Sequence, residues 1–346
     1  MSDILVTTEG TLGHIQLNRP KALNALSLPM VETIATALTR FANDPAIAAV
    51  LMSGAGERGL CAGGDIRALY DHKGDDAVFG MSYFQAEYRM NEQIAAFPKP
   101  YIAFMDGITM GGGVGVSAHG RVRLVTEQTR LAMPETGIGF FPDIGASWLL
   151  PRAPGELGTY MALCGQTITG ADAILAKFAD YLVASAQLPV LRQKLASLPV
   201  HATLAEINAL VNEVALPRTA PLAAHLDEIN RCFRFGSVEE ILAALAESGS
   251  EFAQETASII QQKSPLSLKV ALRMIRLGRQ SESLRTCLQR EYAACRHVLK
   301  SKDFYEGVRA AVIDKDRNPH WHPKNLADVS DAMVEAYFQP DSSELF

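Results

Sequence analysis

The sequence predicts an α/β core followed by a helical C-terminal region, on three observations. Short apolar strands alternate with amphipathic helices through the first two hundred or so residues, glycine-rich turns join strand to helix twice, and the strand signal nearly vanishes from about Val200 onward. The division is placed at 1–205 for the core with its active site and 206–346 for the helical region. A chain of 346 residues supports about two folding units at roughly 150 residues each. Apolar residues make up 48% and charged ones 20%, a globular composition that excludes disorder and a disulfide-dense miniature scaffold. The net charge of −6 gives no global positive field, so neither nucleic acid nor an anionic membrane is an expected partner. Cys61, Cys164, Cys232, Cys287 and Cys295 are an odd set without CxxC spacing, which fits reduced thiols. No basic segment precedes an apolar stretch at the N-terminus and no apolar run reaches membrane length, so a cytoplasmic protein is expected.

Element by element, Ile4–Thr8 and His14–Asn18 read as strands joined by Glu9-Gly10-Thr11 in a hairpin. Ser27 stands at an N-cap, Pro29 in the first turn, and Ile34, Ala37, Leu38 and Phe41 recur at helical spacing. Ala48–Met52 is a continuous apolar strand, Gly54–Gly64 a glycine-rich loop, and Asp65 a cap for the next helix. A helix over Phe79–Phe97 is stopped by Pro98-Lys99-Pro100. Tyr101–Met105 is a buried strand, and Gly111–Gly115 leads into a small-residue helix. Arg121–Thr126 and Arg130–Met133 are further strands, and Ser237-Val238-Glu239-Glu240 is a capping box opening one of the later helices.

Four segments could carry chemistry. Gly54-Ala55-Gly56-Glu57-Arg58-Gly59 spells GxGxxG after a strand, but its last glycine is followed by more loop rather than a helix, which weakens a dinucleotide reading. Gly63-Gly64-Asp65 and Gly111-Gly112-Gly113 each place small residues where a loop meets a helix start and free N–H groups point outward. Singly each reads as a tight turn; together they could aim two donors at one oxyanion, as acyl transfer needs. Glu135 and Asp143 lie among apolar and glycine residues of Met133–Gly145, where a carboxyl is either a helix cap or an acid with a raised pKa able to act as base or nucleophile. Glu87, on the helix with Phe84 and Met90, reads first as a solvated-face residue. His119 and the His320-Trp321-His322 stretch lack an acidic cluster and read as packing or surface groups rather than metal ligands. Ser117 lacks a GxSxG elbow, against a serine hydrolase.

Through Arg19-Pro20-Lys21-Ala22-Leu23-Asn24-Ala25-Leu26, Cys61-Ala62-Gly63-Gly64-Asp65-Ile66 and Gly107–Gly113, in that order and spacing, the chain resembles the crotonase (enoyl-CoA hydratase/isomerase) superfamily. Ile108–Gly115, Met133–Thr136, Phe141-Pro142-Asp143 and Phe304–Ala310 narrow the resemblance to the branch that hydrolyses 3-hydroxyacyl-CoA thioesters. It spans nearly the whole chain. It implies a ClpP-like spiral of strand-strand-helix units in two stacked sheets with a helical C-terminal region, and coenzyme A thioesters as substrates. By position, Gly64 and Gly112 would bind the thioester oxygen, and Lys21, Ala22, Leu23, Ala62, Gly64, Asp65 and Ile66 would hold the coenzyme A portion. The acyl end would lie near Glu87, Glu135 and Asp143. Hydratases of the superfamily carry two catalytic glutamates, the first where this chain has Gly115, so only Glu135 remains. Syn hydration benefits from two carboxylates, and losing one argues against it.

The expected reaction is therefore hydrolysis of a short 3-hydroxyacyl-CoA, above all 3-hydroxyisobutyryl-CoA in valine degradation. Catalysis would rest on Glu135, Asp143, Gly64 and Gly112, with no metal or other cofactor. Glu135 attacks to give an anhydride or activates water, and the residues alone leave both routes open. Rivals are an enoyl-CoA hydratase/isomerase, a non-catalytic acyl-CoA-binding protein, and the nicotinamide enzyme of the glycine fingerprint. The helical third would close over the acyl pocket or build a homo-oligomer.

Overall fold

The computed structural model describes residues 2–339 and 344–346. They form two compact units, each drawn from three stretches of chain: Met1–Gly64, Arg89–Leu131 and Thr167–Pro221 in the first; Asp65–Tyr88, Ala132–Gln166 and Leu222–Phe346 in the second. The expected division at 205/206 falls inside the helix Leu204–Asn212 of the first unit, well past the last strand, which ends at Leu182.

The first unit is built on two sheets. Strands β1 (Ile4–Glu9), β2 (Leu12–Leu17), β3 (Ala49–Gly54), β5 (Tyr101–Met105), β7 (Val122–Val125) and β10 (Tyr181–Leu182) make a six-stranded sheet in the order β1-β2-β3-β5-β7-β10. The β1–β2 hairpin is antiparallel and every later pairing in this sheet is parallel. Gly10 makes the hairpin turn at φ 56°, where an added Cβ would lie 2.1 Å from the Ala196 carbonyl oxygen, so only glycine fits. Parallel strands covered on both faces need apolar side chains at nearly every position, which explains the continuous runs in β3 and β5. Alternate residues Leu12, Ala49, Leu51, Ile102, Phe104, Val122 and Leu124 pack against Leu188, Leu191, Leu195, Ile207 and Val211 of the helices Leu188–Ala196 and Leu204–Asn212. The helix Leu28–Asn43 buries the predicted stripe of Ile34, Ala37, Leu38 and Phe41, with Ser27 at the N-cap position but making no side-chain cap bond.

A smaller sheet, β4 (Gly59–Cys61), β6 (Ile108–Met110), β8 (Arg130–Ala132) and β9 (Ile168–Thr169), corrects the sequence reading, which places β4 inside the glycine-rich loop Gly54–Gly64 and assigns no element to β6. Strands this short show no clear period, and the glycines within and beside these two read as turn formers. Their use is close approach: a Cβ at Gly59 would stand 2.2 Å from the Ile108 nitrogen, so glycine is what lets β4 lie on β6. The helix expected after the glycine triplet begins within it, as the turn Gly112–Gly115.

The second unit is mostly helical. Pro265–Arg279, a largely buried helix, is tied by Arg276 and Arg279 to Glu156 at 2.9 and 2.6 Å. The capping box predicted at Ser237 opens the helix Val238–Ser248 with both reciprocal bonds formed. Gly139 and Gly307 press two chain passages together, since a Cβ on Gly307 would lie 2.4 Å from the Ile138 carbonyl carbon and one on Gly139 2.3 Å from the Asp303 carbonyl carbon. The Phe304–Ala310 motif is thus the seat of the segment that carries Glu135. Among the described residues no helix is long and apolar enough to cross a membrane.

Candidate functional site

In the first unit the two glycine loops meet. Pairing of β4 with β6 brings their C-terminal ends together, and a Cβ on Gly113 would be 2.3 Å from the Cys61 carbonyl oxygen, so the 61–64 loop lies directly on the glycine turn. Gly63, at φ 119°, sits with its hypothetical Cβ 3.9 Å from the Gly112 nitrogen. Gly112 is the first residue of its helical turn, where an N–H has no intrahelical acceptor. Among the described residues, neither the Gly64 nor the Gly112 N–H donates to a protein acceptor. Two unspent donors on converging turns are what an oxyanion site requires.

The same unit gathers most of the predicted coenzyme A residues. The 3-10 turn Pro20–Ala22 ends at Leu23 with φ 53°, the Ala62 N–H donates to the Leu23 carbonyl at 3.0 Å, and the Leu26 N–H donates to that of Gly63 at 2.9 Å. Lys21 and Ala22 are exposed. Asn24, which the sequence reading names in the family motif without a role, locks this turn: it is buried at φ 56°, accepts from the Arg19 N–H and donates to the Ala55 and Gly59 carbonyls. An asparagine suited to the left-handed region was the available signal. Asp65 and Ile66 open the helix Ile66–Asp71 of the second unit, where the Asp65 side chain accepts the Ala68 N–H at 3.3 Å as the predicted N-cap.

The second unit gathers the three carboxyls. Glu135 begins the 3-10 turn Glu135–Ile138, Asp143 lies eight residues on, and Glu87 comes from the helix Val78–Ala95; they are 6%, 5% and 2% exposed. Glu87 is therefore not the solvated-face residue its helical position first suggests. Around them Phe140 stacks on Phe84 and Phe141 and packs against Phe304, an aromatic wall that keeps the surroundings apolar. Burial pushes Glu135 up to about 8, opposed by its own backbone hydrogen bond and reinforced by the charge of Glu87. Glu87 is pushed up to about 8 by burial, against a 3.3 Å hydrogen bond donated by the Tyr83 hydroxyl. Asp143 is raised well above the ordinary carboxyl range by burial and then by Glu87 and Glu135, although the Tyr88 hydroxyl donates to it at 2.6 Å. Each buried carboxyl disfavours ionisation of its neighbours, so all three are held toward the protonated form. Glu135 Oε2 is fully buried and has no hydrogen-bond partner among the described residues. Among the described residues no group of three His, Cys, Asp or Glu side chains is arranged to hold a metal ion. Ser117 donates to the Gly113 carbonyl at 2.7 Å, a packing role.

Comparison with known proteins gives one consistent family. The sequence model of the enoyl-CoA hydratase/isomerase family matches residues 12–338. A rat protein named 3-hydroxyisobutyryl-CoA hydrolase, mitochondrial, is 41% identical over 344 residues, covering 98% of this chain and 89% of its own. Two solved structures share the fold: one described as a carnitinyl-CoA dehydratase from Mycobacterium thermoresistibile, with a TM-score of 0.94, 44% identity and coverage of 100% and 99%; the other as an enoyl-CoA hydratase from Rhodobacter sphaeroides, with a TM-score of 0.88, 40% identity and 98% coverage of each chain.

Proposed function

From the premise that the chain belongs to the enoyl-CoA hydratase/isomerase family, we propose that it hydrolyses 3-hydroxyisobutyryl-CoA to the free hydroxy acid and coenzyme A. The observation that carries this is the buried carboxyl trio with Glu135 Oε2 unpartnered, combined with Gly115 where a hydratase of the family would carry its first glutamate. In this reading the Gly64 and Gly112 N–H groups take the developing charge on the thioester oxygen, and Lys21, Ala22, Leu23, Ala62, Gly64, Asp65 and Ile66 line the coenzyme A portion. Glu135 supplies the nucleophile, attacking the carbonyl carbon itself or removing a proton from water that does. The carbon–sulfur bond breaks, and the departing thiolate takes a proton from the cluster; in the direct-attack route water then cleaves the resulting anhydride, releasing the hydroxy acid and restoring the Glu135 carboxylate. Asp143 and Glu87 orient the 3-hydroxyl and buffer that proton. This chemistry requires no cofactor beyond the coenzyme A of the substrate. Cytoplasmic placement, a step in valine degradation and assembly into a homo-oligomer belong to the same proposal. The rat relative's name places that protein in the mitochondrion, so cell fractionation is the measurement for the compartment.

The names of the two structural relatives favour a second reading, hydration of an enoyl-CoA, which needs the same oxyanion donors but benefits from two catalytic carboxylates. Thiol release from 3-hydroxyisobutyryl-CoA and hydration of crotonyl-CoA, measured on one preparation, separate the readings. Hydrolysis is expected to dominate in kcat/KM; dominant hydration with negligible thiol release overturns the proposal.

A further inference from the structure

Asp143 opens a turn closed by one backbone bond of its own, the Ala146 N–H donating to the Asp143 carbonyl at 2.8 Å, and gripped from outside as well. Ile144 has φ 57° and Gly145 φ 81°, and a β-branched residue in the left-handed region persists only where its surroundings impose it. What surrounds it comes from far along the chain. Glu291, on the helix Leu284–Val298 and fully buried, accepts the Gly145 N–H at 2.7 Å on one carboxylate oxygen, and the Ser147 N–H at 2.9 Å and hydroxyl at 2.5 Å on the other. The Asp143 carboxylate itself is met by the Tyr88 hydroxyl at 2.6 Å. That hydroxyl also lies 3.1 Å from the Cys295 sulfur; with its only proton given to Asp143, its oxygen is left to accept the thiol proton. The Tyr88 ring is fixed between Phe84 and Tyr292 and has no exposure to solvent.

We propose that Tyr88 and Glu291 are positioning residues for the hydrolysis: Tyr88 sets the orientation and charge of the Asp143 carboxylate, and Glu291 sets the turn that carries it. The inference rests on the proposed role of Asp143. A buried acid used only to cap the short helix Ala146–Leu149 would need the Ser147 contacts alone, whereas Glu291 also grips Gly145, inside the strained turn. The groups facing Asp143 are Glu87 and Tyr88 from the helix Val78–Ala95, Glu135 from its 3-10 turn, and Glu291 and Cys295 from the helix Leu284–Val298. Of these, Tyr88 alone lowers the Asp143 pKa by donating to it, so the hydroxyl favours the charged form.

The test is a double-mutant cycle on the full-length protein, read in kcat, KM and the pH dependence of kcat. Tyr88→Phe removes one oxygen and keeps the packed ring. It is expected to lower kcat at least about tenfold with KM within about twofold, and to move the limb of the pH profile set by Asp143 to higher pH. Tyr88→Phe combined with Asp143→Asn is expected to be no slower than Asp143→Asn alone, because the hydroxyl acts only through that carboxylate. Glu291→Gln, which turns one acceptor into a donor against the turn, should behave likewise; should it fail to fold, Tyr88→Phe carries the test. Wild-type kcat and pH profile in Tyr88→Phe beside an impaired Asp143→Asn overturns this inference and leaves the hydrolase reading standing, and so does a loss that multiplies with that of Asp143→Asn. Wild-type activity in Asp143→Asn overturns the role of Asp143 in that reading, and the inference with it.

Discussion

Replacing Glu135 by glutamine makes the burial of this acid measurable without any assay of activity. The folded carboxyl holds its proton up to about 8 while the reference value is 4.5. Between those values the native state binds more protons than the unfolded one, so stability falls as pH rises through the window and levels off above it. One proton changes the unfolding free energy by at most about 1.4 kcal/mol per pH unit, so between pH of about 5.5 and 8 the wild type should lose about 3 kcal/mol that Glu135→Gln does not lose. Urea unfolding of both proteins across that range gives the difference from the midpoints, provided the denaturant slope is shared. The variant's advantage should widen steadily with pH. Parallel stability curves would mean that Glu135 is ionised and solvated, and the reasoning from its burial would fail.

Three further outcomes follow from the same geometry. If ionised Glu135 delivers the nucleophile, kcat/KM for thioester hydrolysis should rise with pH along a limb centred near 8, set mainly by burial of that carboxyl; a flat profile from pH of about 6 to 9 would contradict it. Gly307→Ala forces a Cβ to within 2.4 Å of the Ile138 carbonyl carbon, and should cost about 1–3 kcal/mol in thermal or urea unfolding. It should also depress kcat, because the turn that must move begins with Glu135. In a single turnover in heavy-oxygen water, label entering the Glu135 carboxylate is expected if the anhydride forms and is cleaved at the Glu135 carbon, a position that activated water never labels.

Local chemistry was legible in the sequence and distant pairing was not. The hairpin at Gly10, the strand Tyr101–Met105, the Asp65 cap and the Ser237 capping box each depend on a few adjacent residues, and each stands where expected. β4 escaped because glycine signals both turns and close contacts, and β6 because Ile108–Met110 is a short run hemmed in by Gly107 and Gly111. Glu135 and Asp143 stood out as acids among glycines and phenylalanines. The burial of Glu87 did not, because a charged residue on an amphipathic helix normally faces water. Tyr88 and Glu291 reach Asp143 and its turn across 55 and 146 residues of sequence, a separation no local pattern spans. One clue existed: Glu291 shares a helical stripe with Cys287, Leu288 and Cys295, all buried, and an acid on such a stripe has to find partners inside.

The most direct measurement is thiol release from 3-hydroxyisobutyryl-CoA by the wild type and Glu135→Gln side by side, with coenzyme A affinity measured on both. A fall in kcat of about 100-fold or more with unchanged coenzyme A binding is the expected result. Equal turnover by the two proteins would remove Glu135 from the chemistry and leave the buried carboxyl cluster without the role assigned to it.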